Sequence, residues 1–145
     1  MTNLPVKVPA CALIILNKQA EVLLLQQPDE QWSLPLAAMD ACDTPVAAAE
    51  RLAGKHLTLK LIDMECFGFS SAATDVHAIQ MGNSAVHLHS FLFVSTYWEG
   101  DVSLPLPYQT HAFFPLQELP ALAEPMKHYL DIFLQWLPER GFVFA

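Results

Sequence analysis

The sequence predicts an α/β fold, a central sheet flanked by helices, and three observations carry that expectation. Two near-continuous apolar runs, Pro9 to Leu16 and Glu21 to Gln26, lack polar alternation, as strands buried on both faces do. Thr44-Pro45 opens an alanine-rich segment with helix-start chemistry. From Pro125 to Leu137, the residues Met126, Tyr129, Leu130, Phe133 and Leu137 recur at three- and four-residue spacing, the pattern of a helix with one buried face.

Taken in order, the first two runs are separated by Asn17-Lys18-Gln19-Ala20 and read as a hairpin. Gln26, Gln27 and a Pro28-Asp29-Glu30 turn lead to Trp32 and a short strand. Thr44 is placed to cap a helix, and Pro45 suits its first position because the missing N–H would be unpaired there anyway. Ala47 to Leu52 are mostly strong helix formers, whereas Gly54 costs about 1 kcal/mol relative to alanine, so the helix is expected to fade near His56. Leu57, Leu59 and Leu61 alternate with Thr58 and Lys60, a strand signal that continues through Cys66, Phe67 and Phe69 to Ser70, with Gly68 marking a bulge. Ser71 to Ser84 is polar and reads as a turn or mobile loop.

Ala85 to Trp98 is the longest strand candidate, and Glu99-Gly100-Asp101 closes it with a turn. The prolines of Leu104-Pro105-Leu106-Pro107 force extended backbone, and His111 to Leu116 follows as another strand. In the last helix Ile132, Leu134 and Trp136 widen the apolar surface beyond one stripe, and the tail Gly141 to Ala145 is apolar too. That surplus has two readings, a homodimer interface or a tail folded onto its own core.

A length of 145 residues suits a single domain spanning the whole chain. Hydrophobic residues make up 53% and charged residues only 15%, which argues against disorder. The formal charge of −8 provides no basic field for tracking nucleic-acid phosphates, so nucleic acid is not an expected partner. Cys11, Cys42 and Cys66 are an odd number without metal-ligand spacing and read as reduced thiols. The run Ala12 to Leu16 is too short for a signal segment or a membrane span, so no membrane partner and a cytoplasmic location are expected.

The stretch WSLPLAAMDACDTPVAAAERLAGKHLTL, Trp32 to Leu59, resembles the signature box of the Nudix (MutT-like) hydrolases, G-x5-E-x7-R-E-U-x-E-E-x-G-U, together with the Trp-x-Leu-Pro that precedes it. The resemblance runs from Val8 to about Leu137 and includes Phe113-Phe114-Pro115-Leu116-Gln117-Glu118-Leu119-Pro120. It implies an α/β/α sandwich with a mixed central sheet, the box helix on one side and the C-terminal helix on the other. Without a gap, the pattern puts Ala37 at the first glycine, Asp43 at the first acid, Arg51 at the arginine and Leu52 at the glutamate after it. Lys55 and His56 occupy the paired glutamates, and Thr58 the last glycine.

In that family the helix glutamates hold divalent cations, usually magnesium, against a substrate diphosphate while water attacks phosphorus. Hard cations need oxygen ligands. An alkyl group, an ammonium and an imidazole at 52, 55 and 56, expected to share one helical face, supply none. Glu50, two residues away from 52, is rotated by about 200° and points elsewhere. The box is degenerate.

The leading reading is therefore a Nudix-like protein that binds a small phosphorylated or nucleotide ligand, or a partner, without the family's hydrolysis. Arg51, Lys55 and His56 are the candidates for gripping a phosphate directly, against the plainer reading of a basic end facing the helix dipole. Trp32 is a candidate for stacking on a base, its plainer role being packing at the sheet edge.

An alternative is an atypical pyrophosphohydrolase acting on nucleoside diphosphate derivatives. Magnesium or manganese would then be held by Asp40, Asp43, Glu65 or Asp75, with Asp43 and Arg51 in catalysis. A further alternative is a metal-binding or oligomeric scaffold. His87 and His89, two apart on a strand, point to one face and could ligate a metal with His56, His77 or His111 as a third ligand, or else line a ligand cleft.

Overall fold

A computed structural model describes residues 6–40, 42–74, 86–104, 108–123 and 126–139. β1 (Val6–Ile15) is the strand around which the others are placed. It pairs antiparallel with β4 (Leu36–Ala38) and parallel with β7 (Val86–Ser95), and β6 (Glu65–Thr74) adds to the far side of β7, giving the order β4-β1-β7-β6. This is the mixed sheet expected. A second sheet, β3-β2-β9, is antiparallel and consists of β2 (Glu21–Gln26), β3 (Trp32–Ser33) and β9 (Thr110–Pro115). A short ladder joins β5 (Lys60–Leu61) to β8 (Trp98–Glu99).

The apolar runs lack alternation because both of their faces are buried. Ala10, Ala12 and Ile14 enter a core with the C-terminal helix, while Cys11, Leu13 and Ile15 enter a second core with the box helix. On β2, Val22 and Leu24 face the first and Leu23 and Leu25 the second. Each fully buried valine, leucine or isoleucine among them contributes about 1.5–3 kcal/mol.

The hairpin expected between β1 and β2 is only a pinched turn. Asn17 Oδ1 accepts the N–H groups of Gln19 and Glu21, one bridge joins Leu16 to Val22, and the strands then part into different sheets. β1 needs its edges for β4 and β7 and has none left for β2.

The box helix α1 (Pro45–Arg51) starts as its sequence dictates, with the Ala47 N–H donating to Thr44 Oγ1 at 3.1 Å. It fades over Leu52–His56 as one wide π-helical turn containing Gly54. The strand expected over Leu57 to Ser70 is broken instead. Asp63 Oδ1 accepts the N–H groups of Thr96 and Tyr97, which turns the chain between β5 and β6. The bulge expected at Gly68 is present, as a register shift between Cys66 and Gly68. Ser71 to Thr74, read as loop, continue β6 because β7 offers them a partner; the rest of that loop lies outside the described residues, as do 105–107 and the tail 141–145.

The C-terminal helix α2 (Met126–Glu139) buries Met126, Tyr129, Leu130, Phe133 and Leu137 against the first core, as their spacing predicts, and leaves Leu134 exposed. The Tyr129 hydroxyl shares a buried 2.8 Å hydrogen bond with Ser90 Oγ on β7, and burial pushes the phenol's pKa up. Tyr129→Phe strands the serine hydroxyl and is expected to lower stability by about 1–2 kcal/mol in urea unfolding, with Ser90→Ala in the same chain recovering part of the loss. Equal losses for the single and double substitutions would contradict that coupling.

Candidate functional site

The loop between β4 and α1 is organised by an ion pair. Arg51 donates from Nη1 and Nη2 to the two oxygens of Asp43, each at 2.6 Å, and Asp43 Oδ2 also accepts the Asp40 N–H at 2.8 Å. The Asp40 carboxylate lies 3.6 Å from Arg51 Nη1 and stays exposed. Arg51 foremost, then the Asp40 N–H, hold the Asp43 carboxyl below the usual carboxylate range. The guanidinium is stabilised in turn by Asp43. Asp43 is thus the principal partner of Arg51 and Asp40 the second.

Beneath this pair lies Cys11 on β1. Burial pushes its thiol up to about 12, with Arg51 opposing, so it is protonated and unreactive at neutral pH.

The π turn changes the geometry of the next positions. Leu52 is only 3% exposed, packed in the α1-side core with Ala49, Leu57 and Leu59, whereas Lys55 and His56 are exposed. The expectation that 52, 55 and 56 share a face is corrected: a turn closed by i→i+5 bonds contains an additional residue, and the side chains fall out of α-helical phase. Thr58, at the last glycine position, retains the left-handed conformation a glycine would favour, with φ +58°. Its carbonyl oxygen closes on Gly100, where an added Cβ would sit 2.7 Å away.

The remaining candidates are dispersed. Trp32 is half-buried, edge-on to Phe114 at 4.8 Å, and its backbone bonds Ala121 and Ala123. His89 is half-buried on β7, opposite Pro9 on one side and Ser71 on the other. His87 pairs with Lys7 and Ala73, its side chain lying outside the described residues together with His77 and Asp75. His111 is exposed on β9, and Glu65 lines a small cleft with Asp63 and Thr96. Asp40 and Asp43 are the candidate oxygen donors brought together.

A family model described as a NUDIX domain matches residues 6–137. The chain belongs to the Nudix family. None of the curated proteins compared with it matches. Among solved structures, the MutT protein from Methanosarcina mazei is 14% identical with a TM-score of 0.73, covering 97% of this chain and 100% of that one. A C. elegans Ap4A hydrolase in a binary complex is 22% identical with a TM-score of 0.66, covering 93% and 99%. The NUDIX domain of Shewanella oneidensis NrtR, complexed with ADP ribose, is 14% identical with a TM-score of 0.67, covering 92% and 90%. At these identities the likeness is one of fold.

The residues present in this Nudix box do not fit magnesium. The box helix offers no carboxylate at 52, 55 or 56, and among the described residues no three His, Cys, Asp or Glu side chains converge as a metal-holding group. Two polar residues escaped sequence reading. The Gln27 carboxamide is fully buried with neither atom hydrogen-bonded, and the Tyr108 hydroxyl is buried beside Ser33 without a bond of good geometry, its pKa raised to about 12 by burial. Gln27 follows Leu23 and Leu25 at two-residue steps along and beyond β2, which is the one sequence signal that places a glutamine on a core face.

Two measurements probe this site. Because its folded pKa is depressed, Asp43 contributes stability above its ordinary value of 3.8 and loses it as pH falls through the folded pKa. The stability gap between wild type and Asp43→Asn should thus be flat from neutral pH to about 5 and close at more acid pH. A gap that does not narrow at all as pH falls from about 5 to well below 3.8 would contradict the ion pair. Leu52→Glu, restoring the family residue, should cost about 3 kcal/mol or more from lost apolar burial and an unpaired carboxyl, against about 0.5 kcal/mol for Lys55→Glu or His56→Glu. Similar small costs at all three positions would place Leu52 outside the core.

Proposed function

We propose that this Nudix protein binds a small phosphorylated or nucleotide ligand and does not carry out metal-dependent hydrolysis. One observation carries the reading: the position of the first box-helix glutamate is a leucine packed into the core, while the paired glutamates are an exposed lysine and histidine. The turn therefore presents cationic and hydrogen-bonding groups where the family presents metal ligands. Arg51 adds to them, because Asp43 engages two of a guanidinium's five N–H donors. A phosphate can be held by such groups directly through charge-assisted hydrogen bonds. The NUDIX domain of NrtR, complexed with ADP ribose, supports a nucleotide derivative as the ligand class.

The test is to incubate the protein with ADP-ribose, Ap4A and nucleoside triphosphates, with magnesium, with manganese and with chelator. Phosphate and nucleoside monophosphate release is measured, alongside calorimetric binding. The expected outcome is no metal-dependent release, binding of at least one compound, and about tenfold weaker binding after Lys55→Glu. Release that requires metal and disappears in Asp40→Ala or Asp43→Ala would establish the hydrolase alternative instead.

A further inference from the structure

We infer that Phe69, supported by Phe91 and His89, is a stacking shelf for the planar base of a nucleotide whose phosphates reach the Arg51 end of α1. This rests on the nucleotide-binding reading above. One face of the β6–β7 pair is covered by α2, where Phe67, Leu88 and Leu92 are buried. The other face carries Phe69, Ser71, His89 and Phe91 in alternate positions, and it is open at its edge, with Phe69 51% exposed. The Phe69 ring meets Phe91 edge-on at 5.2 Å and lies 6.2 Å from His89. An exposed ring braced by two others is held ready, so little ordering cost is left for a ligand that stacks on it.

The registers locate the shelf. Ala37, Cys11, Phe91 and Phe69 form one row across the four strands, and Arg51 and Asp43 lie close enough to Cys11 to influence its thiol. With strands about 4.8 Å apart, Phe69 stands about 10 Å from Cys11 on the same face as α1, comparable to the reach from base to phosphates.

Charge favours the same occupant. Residues 51–60 hold three of the chain's seven lysines and arginines and no acid, in a chain of net charge −8. A second copy would bring another net charge of −8, and three rings fall far short of the roughly 800 Å² per partner of a stable interface.

Calorimetry with ADP and with inorganic pyrophosphate, which has no ring, tests the shelf in wild type, Phe69→Leu and Phe69→Trp. Phe69→Leu should weaken ADP binding about tenfold or more and leave pyrophosphate unchanged, while Phe69→Trp retains ADP affinity. In wild type, the amide resonances of Phe69 and His89 should shift with ADP and not with pyrophosphate, a readout independent of how the variants fold. ADP affinity unchanged in Phe69→Leu, or ADP binding without those shifts, overturns the shelf and leaves nucleotide binding standing. Binding of neither compound by wild type overturns both.

Discussion

From Ala10 to Ile15 no residue of the first strand has a solvent face, and that constraint settles where nearly everything else goes. A strand buried on both sides needs an apolar cover on each. α2 supplies one through Tyr129, Leu130 and Phe133, and α1 the other through Ala48, Ala49 and Leu52. Small residues on α1 let it approach the sheet closely, and this brings Arg51 near Cys11. The Arg51 and Asp43 pair is thus a consequence of core packing as much as of local loop chemistry.

The box carries Leu52, Lys55 and His56 where the family pattern has glutamates, and the frame around these positions is ordered by its own interactions. Asp43 and Arg51 tie the start of the helix to its end, and Thr58 keeps a glycine's backbone at the cost of left-handed strain, with its hydroxyl 2.7 Å from the carbonyl oxygens of Leu57 and Asp101. These features are structural. They hold the loop, the helix and the turn at Gly100 together independently of the exposed turn. Function is then free to differ at Lys55 and His56, which bear no packing load.

Much of the fold was legible because it is written in local patterns. Thr44 and Pro45 define a helix start, the spacing of Met126 to Leu137 defines a buried face, and the unbroken runs of β1 and β2 define strands without a solvent side. What was not legible depends on pairings distant in sequence. The separation of β1 from β2 follows from β7 claiming β1 as a parallel partner, and the break before β6 from Asp63 binding a turn 33 residues away. At the site, Asp43 and Arg51 were legible because the box pattern places both along one loop and helix. The π turn could not, since Gly54 signals a weak helix end without saying how it unwinds.

That turn decides how the substituted box should be understood. Had positions 52, 55 and 56 remained on one exposed face, three replacements would simply be three missing ligands, and nearby acids could compensate. Instead Leu52 is committed to the core that covers β1, so restoring a carboxylate there opposes the packing on which the sheet depends. Lys55 and His56 face solvent. Packing thus fixes the side chain at 52, whereas no packing constraint fixes those at 55 and 56. An exposed lysine and histidine suit a phosphate better than a hard cation, which is the physical basis of the binding proposed above.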